Sequence, residues 1–249
     1  MKSFGLTDKG AVRNDNQDSF IIEKCDAHDC LIAALCDGMG GAKAGGIASQ
    51  LVNRTFVSHI YAKLTSRVSK GIAYQQLLQD ACREANGVAY EYSCFDESCR
   101  GMGTTLVGGV IKNSGNGYII NVGDSRAYLI SVKNKTVRQI TRDHSLVQEL
   151  VDAGAITSEQ AKHHSQKNVI TRAVGSEAAV YADFYQFKLS SGDYLLLCSD
   201  GLSNIVGDDE MLEYAQKYPR PEKLCRALMD RALSLGAPDN VTVVVAMYN

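Results

Sequence analysis

The sequence predicts an α+β fold: two mostly antiparallel β-sheets stacked on each other and flanked by α-helices, an αββα sandwich. Two observations carry this. Apolar, β-rich runs and helical stretches follow one another in blocks, not in the strict alternation of a doubly wound sheet. Short Gly- and Asn-rich connections, such as Lys112-Asn-Ser-Gly-Asn-Gly117, favour hairpins and hence antiparallel pairing. Stacked sheets with helices outside would bury all the apolar faces at once.

The elements follow in chain order. Strands are expected at Ser19–Ile22 and Leu31–Cys36, where β-branched and aliphatic residues are bounded by Asp, Asn or Gly. Between Gly45 and Tyr92 the apolar residues Ile47, Leu51, Val52, Phe56 and Ile60, then Leu77, Leu78, Ala81, Cys82, Ala85 and Val88, recur at helical spacing and predict two helices. Strands follow at Thr104–Ile111, Tyr118–Val122 and Ala127–Val132, then shorter helices at Ser145–Gly154 and Glu159–His164. A strand at Tyr194–Cys198, helices at Asp208–Gln216 and Pro221–Leu235, and a last strand at Val241–Met247 complete the chain. Pro221 suits a first helical turn, where its missing N–H costs nothing.

The 249 residues, 45% of them hydrophobic, can build a sizeable core, and only three prolines and no low-complexity linker interrupt them, so a single domain over residues 1–249 is expected. A net charge of -2 gives no global field to attract nucleic acid or an anionic membrane surface. No stretch approaches the roughly 20 apolar residues of a membrane span, and the first residues lack a secretion signal. A cytoplasmic monomer is the expectation. The eight cysteines include no Cys-x-x-Cys pair, which argues against zinc, and Cys36 and Cys198 sit in apolar runs as core residues.

Carboxylates recur at strand ends. Leu31–Cys36 runs into Asp37-Gly38, and Leu195–Ser199 runs into Asp200-Gly201. Tyr118–Val122 ends in Gly123-Asp124, the last strand begins just after Asp239-Asn240, and Asp18 precedes another. Asp-Gly is also a common turn dipeptide. Five carboxylates meeting at one sheet edge would nevertheless repel one another unless a divalent cation sat among them. Oxygen ligands without converging His or Cys point to Mg²⁺ or Mn²⁺.

In these residues the chain resembles the metal-dependent protein phosphatases of type 2C, in particular their compact bacterial members. The resemblance runs nearly end to end. It is carried by Thr7-Asp-Lys-Gly10 with Arg13-x-x-Asn16-Gln17-Asp18, by Cys36-Asp-Gly-Met-Gly-Gly41 with Gly45 and Ala48-Ser49, and by Gly103-Thr-Thr105. Further on it rests on Asn121-Val-Gly-Asp-Ser-Arg126, Arg142-Asp-His-Ser145, Val169–Gly175, Cys198-Ser-Asp-Gly-Leu202 and Asp239-Asn-Val-Thr242.

The resemblance implies a serine/threonine protein phosphatase acting on phosphorylated proteins and opposing a serine/threonine kinase. It implies Mn²⁺ or Mg²⁺, two ions plus a weaker third. Asp37 would bridge two metals with the Gly38 carbonyl on one, Asp200 and Asp239 would complete the first site, Asp18 would act through bound water, and Asp124 would hold the third ion. Arg13 would grip the substrate phosphate, and the segment from Asp143 to Val169 lies where the family carries a mobile flap. Two cations roughly 3.5–4 Å apart would activate a bridging water without a phosphoenzyme.

The chain departs from the family pattern at four positions. Gln17 stands where many relatives have Glu, Gly46 where bacterial relatives commonly have Glu, and Met39 and Ala42 where one lineage or another has a histidine able to act as general acid. Two other readings stay open: a hydrolase of small phosphorylated metabolites or nucleotides, and a non-catalytic phosphoprotein-binding module. The glycine-rich run from Gly38 to Gly45 lacks the Gly-Lys-Ser/Thr ending of a nucleotide-cradling P-loop, and retention of all five aspartates speaks against the non-catalytic module.

Overall fold

The computed structural model describes residues 1–66 and 71–248, with the side chain of residue 42 left aside. One antiparallel sheet has the order β1 (Lys2–Asp8), β11 (Val241–Met247), β10 (Tyr194–Cys198), β7 (Arg126–Ser131), β8 (Thr136–Gln139). The other runs β2 (Asp18–Cys25), β3 (Cys30–Met39), β5 (Leu106–Lys112), β6 (Asn116–Val122), β9 (Asp183–Lys188), with the short β4 (Gly103–Thr104) pairing with the tip of β3. The expected sandwich of two antiparallel sheets is therefore what the chain forms.

Side-chain alternation along each strand divides the interior into three layers. Leu31, Ala33 and Leu35 of β3 face Leu195, Leu197, Val244 and Ala246 of the other sheet and form the middle layer. The opposite face of β3, with Ile32, Ala34 and Cys36, lies beneath α1 (Gly41–Thr65) and α2 (Tyr74–Phe95), which contribute Val52, Phe56, Ile60, Leu78 and Ala85. Leu196, Val243 and Val245 are covered by α7 (Pro221–Ser234) and α6 (Asp208–Lys217) through Leu224, Leu228 and Met211. Because β3 is covered on both faces, Leu31–Cys36 is buried without interruption, which explains its continuous apolar run. Burial of each such Leu or Ile stabilises the fold by about 2 kcal/mol.

Three strands go beyond the sequence reading. β1 alternates Phe4 and Leu6 with Ser3, Gly5 and Thr7, and β8 and β9 are sheet-edge strands rich in polar residues, so none shows a continuous apolar run. The single strand expected over Thr104–Ile111 is two, because Thr105 leaves the ladder: its N–H donates to the Asp37 carbonyl and its hydroxyl accepts the Asp37 N–H, both at 2.9 Å. The smaller helices α3 (Leu146–Asp152) and α4 (Ser158–Lys162) are capped by the Ser145 and Thr157 hydroxyls, and Thr157 and Gln160 form a reciprocal capping box. A one-turn helix, α5 (Asp200–Ser203), follows β10. Among the described residues no helix is long and apolar enough to cross a membrane.

Antiparallel pairing brings the functional strand ends to one edge. The start of β2 pairs with the end of β3, so Asp18 is the cross-strand partner of Asp37. The start of β11 lies beside the end of β10, with Val243 opposite Cys198.

Candidate metal centre

Asp37, Gly38, Asp124, Asp200 and Asp239 line one cavity of about 570 Å³ at this edge, and Arg13 is part of the same wall. Asp18 lies behind that wall, 7% exposed.

The backbone at the strand ends is held tightly. A Cβ at residue 38 would collide with the Gly45 carbonyl in the first turns of α1, and one at residue 201 would collide with the Asn240 carbonyl. Only glycine lets these chains pass at such range. Gly123 has a φ of +100°, and its two polar groups are clasped by His144: the His144 N–H donates to the Gly123 carbonyl at 3.0 Å, and the Gly123 N–H donates to Nδ1 at 3.1 Å. Asp124 follows directly. Arg126 forms a forked ion pair with Asp143, 2.7 Å at its shortest, and donates to the Tyr128 hydroxyl at 3.0 Å.

Asp18 is fixed by hydroxyls. Its Oδ2 accepts from Ser199 at 2.8 Å and from Thr242 at 2.6 Å. Thr242 stands 2.7 Å from the Thr7 hydroxyl, which accepts from Asn16 at 2.8 Å. Since the one hydroxyl hydrogen of Thr242 points to Asp18, Thr7 donates to Thr242, and a directed chain runs from Asn16 to Asp18.

The charges crowd one another. Asp37 is pushed well above the ordinary carboxylate range, first by removal from bulk water and then by the negative charges of Asp18, Asp200, Asp124 and Asp239. Asp124 rises to about 8, through burial and then Asp200 and Asp143. Asp200 rises to about 6, through burial and then Asp239, although Arg126 and Arg13 pull the other way. Asp18 also reaches about 6, burial outweighing its hydroxyl partners. In addition Asp18 Oδ1 and Asp200 Oδ1 are buried with no hydrogen-bond partner among the described residues. Unpaired buried carboxylate oxygens are costly, and a divalent cation would answer both the missing partner and the repulsion.

The donor set therefore fits hard cations. Among the described residues no three His, Cys, Asp or Glu side chains enclose a ready-made cage, so water would have to complete the ligand shell, as is usual for Mg²⁺.

Arg13 Nη2 lies 2.7 Å from Asp239 Oδ2, and its side chain remains 56% exposed at the cavity rim. The cavity wall contains Met39 and, among the described residues, no histidine. The side chain of Ala42 is outside the described residues. His144 is the imidazole within the quoted motifs, but it is buried, and its Nε2 lies 3.3 Å from Asp183 Oδ2. Gln17 has a local reason to be an amide: its Nε2 donates to the Gly41 carbonyl at 2.7 Å, which a carboxylate could not do.

Sequence reasoning gave no role to Ser199, Thr242, Thr105, His144 or Asn240. Each adjoins or lies within a quoted motif, but the contacts that give it a part in the site span from 20 to 235 residues along the chain and have no local signature.

The protein phosphatase 2C family model matches residues 10–235. The serine/threonine phosphatase stp of Listeria monocytogenes serotype 4b is 38% identical over 240 residues, covering 96% of this chain and 92% of its own. The protein phosphatase PhpP of Streptococcus pneumoniae strain D39 is 36% identical, with 98% and 96% covered. Among solved structures, the Mycobacterium tuberculosis serine/threonine phosphatase PstP/Ppp superimposes with a TM-score of 0.87 at 35% identity, covering 100% of this chain and 98% of that one. The catalytic domain of PstP in complex with two manganese ions gives 0.83 at 35% identity, with 99% and 97% covered. With the sandwich, the strand-end carboxylates and this similarity along almost the whole chain, the protein belongs to the protein phosphatase 2C family.

Proposed function

We propose that this chain is a metal-dependent serine/threonine protein phosphatase whose acidic cavity receives phosphoserine and phosphothreonine side chains of other proteins. The observation that carries the reading is the convergence of Asp37, Asp124, Asp200 and Asp239 with Arg13 on one cavity. Relatives named as serine/threonine phosphatases support the activity, and the manganese-bound PstP domain supports the choice of cation.

In this reading Asp37, the Gly38 carbonyl, Asp200 and Asp239 would hold the two divalent cations, Mn²⁺ or Mg²⁺. Asp18, set back from the wall, would contribute through water, and Asp124 would hold a weaker third cation. When bound, the cations neutralise charge at the phosphoryl group and make a water acidic enough to attack phosphorus. Arg13 binds the phosphoryl oxygens with its planar fork; its Nη2 pairs with Asp239, and its exposed position at the rim leaves its remaining N–H groups to meet an incoming phosphate. Residues 1–249 form one catalytic domain, which acts as a cytoplasmic monomer against a serine/threonine kinase.

A substrate panel tests the reading. With Mn²⁺ or Mg²⁺, phosphoserine and phosphothreonine peptides should be hydrolysed well ahead of phosphotyrosine peptides and nucleotides. Faster turnover of nucleotides or small phosphometabolites would instead assign the cavity to a small-molecule hydrolase.

A further inference from the structure

The segment carrying Arg13 is a loop. Residues 9–17, between β1 and β2, make no strand or helix. Such a loop needs outside support if it is to present a guanidinium at a fixed point. Much of that support comes from one side chain. Asn240 Oδ1 accepts the Gln17 N–H at 2.8 Å, while Asn240 Nδ2 donates to the carbonyls of Lys9 and Asp15, each at 2.9 Å. The amide thus joins the beginning of the loop to its end and uses its acceptor and both donors. Asn240 is 5% exposed and immediately precedes β11, which is paired on both sides, with β1 and β10. Other ties are single contacts, such as Ala11 N–H to the Ala237 carbonyl at 2.9 Å near the start and, in the middle, the exposed Arg13–Asp239 ion pair at 2.7 Å, which an incoming phosphate would compete for. Asp in place of Asn240 would keep the acceptor and lose both donors.

We propose that Asn240 is a positioning residue for the reaction: it staples the 9–17 loop so that Arg13 meets the substrate phosphate in a fixed geometry. The proposal rests on the assignment of Arg13 as the phosphate-binding group. It also accounts for the Asn of Asp239-Asn240, to which the ligand assignment gives no part.

The test compares Asn240→Ala, Arg13→Ala and the double variant, using a phosphothreonine peptide with Mn²⁺ and inorganic phosphate as a competitive probe. Asn240→Ser serves as a second variant should Asn240→Ala fold poorly. Losing the staple should raise KM and the phosphate inhibition constant about tenfold, the scale of two or so buried hydrogen bonds, and change kcat much less. The double variant should bind phosphate no worse than Arg13→Ala alone, because a staple with no arginine to hold has nothing to add. Calorimetric Mn²⁺ affinity should stay within about threefold. Amide hydrogen exchange in 9–17, measured without metal, should accelerate in either Asn240 variant while β11 stays protected.

An equal further loss in the Arg13→Ala background, or weakened Mn²⁺ binding with unchanged loop exchange, would overturn the proposal and show that Asn240 acts through neighbouring Asp239. Unchanged phosphate binding in Arg13→Ala would overturn the assignment of Arg13, and this inference with it.

Discussion

Asp18 and Asp37 stand directly opposite each other across the first two strands of one sheet, so the pairing of a hairpin, not a loop, sets two carboxylates side by side. Like charges in that position destabilise a ladder. The fold carries this cost at the edge where it collects three further aspartates.

One consequence is a trade of stability against activity. Asp37→Asn removes a charge that its neighbours oppose, so the metal-free variant should melt about 3 °C or more above the parent while losing nearly all turnover. Differential scanning calorimetry in EDTA, beside a phosphopeptide assay, checks both halves.

The pH dependence follows from the same charges. Asp18 and Asp200 at about 6 and Asp124 at about 8 all lie above the ordinary 3.8. Each binds its proton more tightly in the folded state, so its contribution is fully present at low pH and is lost as pH rises through the folded value. Over about pH 4 to 8 these groups should lower the melting temperature of the metal-free protein as pH increases. Mn²⁺ competes with those protons, so its stabilising effect should be larger at pH 8 than at pH 5. Thermal melts with and without Mn²⁺ at the two pH values measure this.

Arg13→Ala should raise KM for a phosphopeptide by at least about tenfold, with Arg13→Lys recovering only part, since an ammonium cannot make the planar two-pronged contact. Titration of Mn²⁺ into Arg13→Ala should show nearly unchanged affinity. A large loss would make the Arg13–Asp239 pair a structural strut instead.

Asp124→Ala should retain two Mn²⁺ ions yet impair a phosphoserine peptide more than p-nitrophenyl phosphate. The serine oxygen is a poor leaving group that needs a proton, and no histidine lines the cavity among the described residues to provide one. Comparing kcat/KM on the two substrates decides it; equal losses would separate Asp124 from protonation of the leaving group.

Two adjacent glycines in α1 should respond in opposite directions. A Cβ at residue 46 meets nothing closer than 4.0 Å, so Gly46→Ala should stabilise the protein by about 0.5–1 kcal/mol through helix propensity. At residue 45 it would lie 2.8 Å from the Gly38 carbonyl and 2.5 Å from Gln17 Oε1, so Gly45→Ala should destabilise the fold and disturb the Gly38 backbone. Denaturant unfolding of both variants gives the comparison.

The long apolar runs made most of the sandwich readable. Leu31–Cys36, Tyr194–Cys198 and Val241–Met247 are covered on both faces and announce themselves as strands. Asp37 and Asp200 were legible because each stands within two residues of the end of such a run, and Asp124 because it stands two residues beyond the Tyr118–Val122 run. Edge strands such as Asp183–Lys188 were not, since solvent permits polar residues there. The supports of the site were also hidden: the Ser199 hydroxyl reaches Asp18 and the Asn240 amide reaches Lys9, contacts set by sheet pairing between distant parts of the chain.

Metal dependence is tested most directly by phosphate release from a phosphothreonine peptide, using protein stripped of metal and then titrated with Mn²⁺, beside Asp37→Ala under the same conditions. Release should be negligible in EDTA and rise to saturation with Mn²⁺, and Asp37→Ala should be slower by orders of magnitude at every concentration. Full turnover in EDTA by protein shown to hold no residual metal, or an Asp37→Ala variant as fast as the parent, would contradict a metal centre built on Asp37.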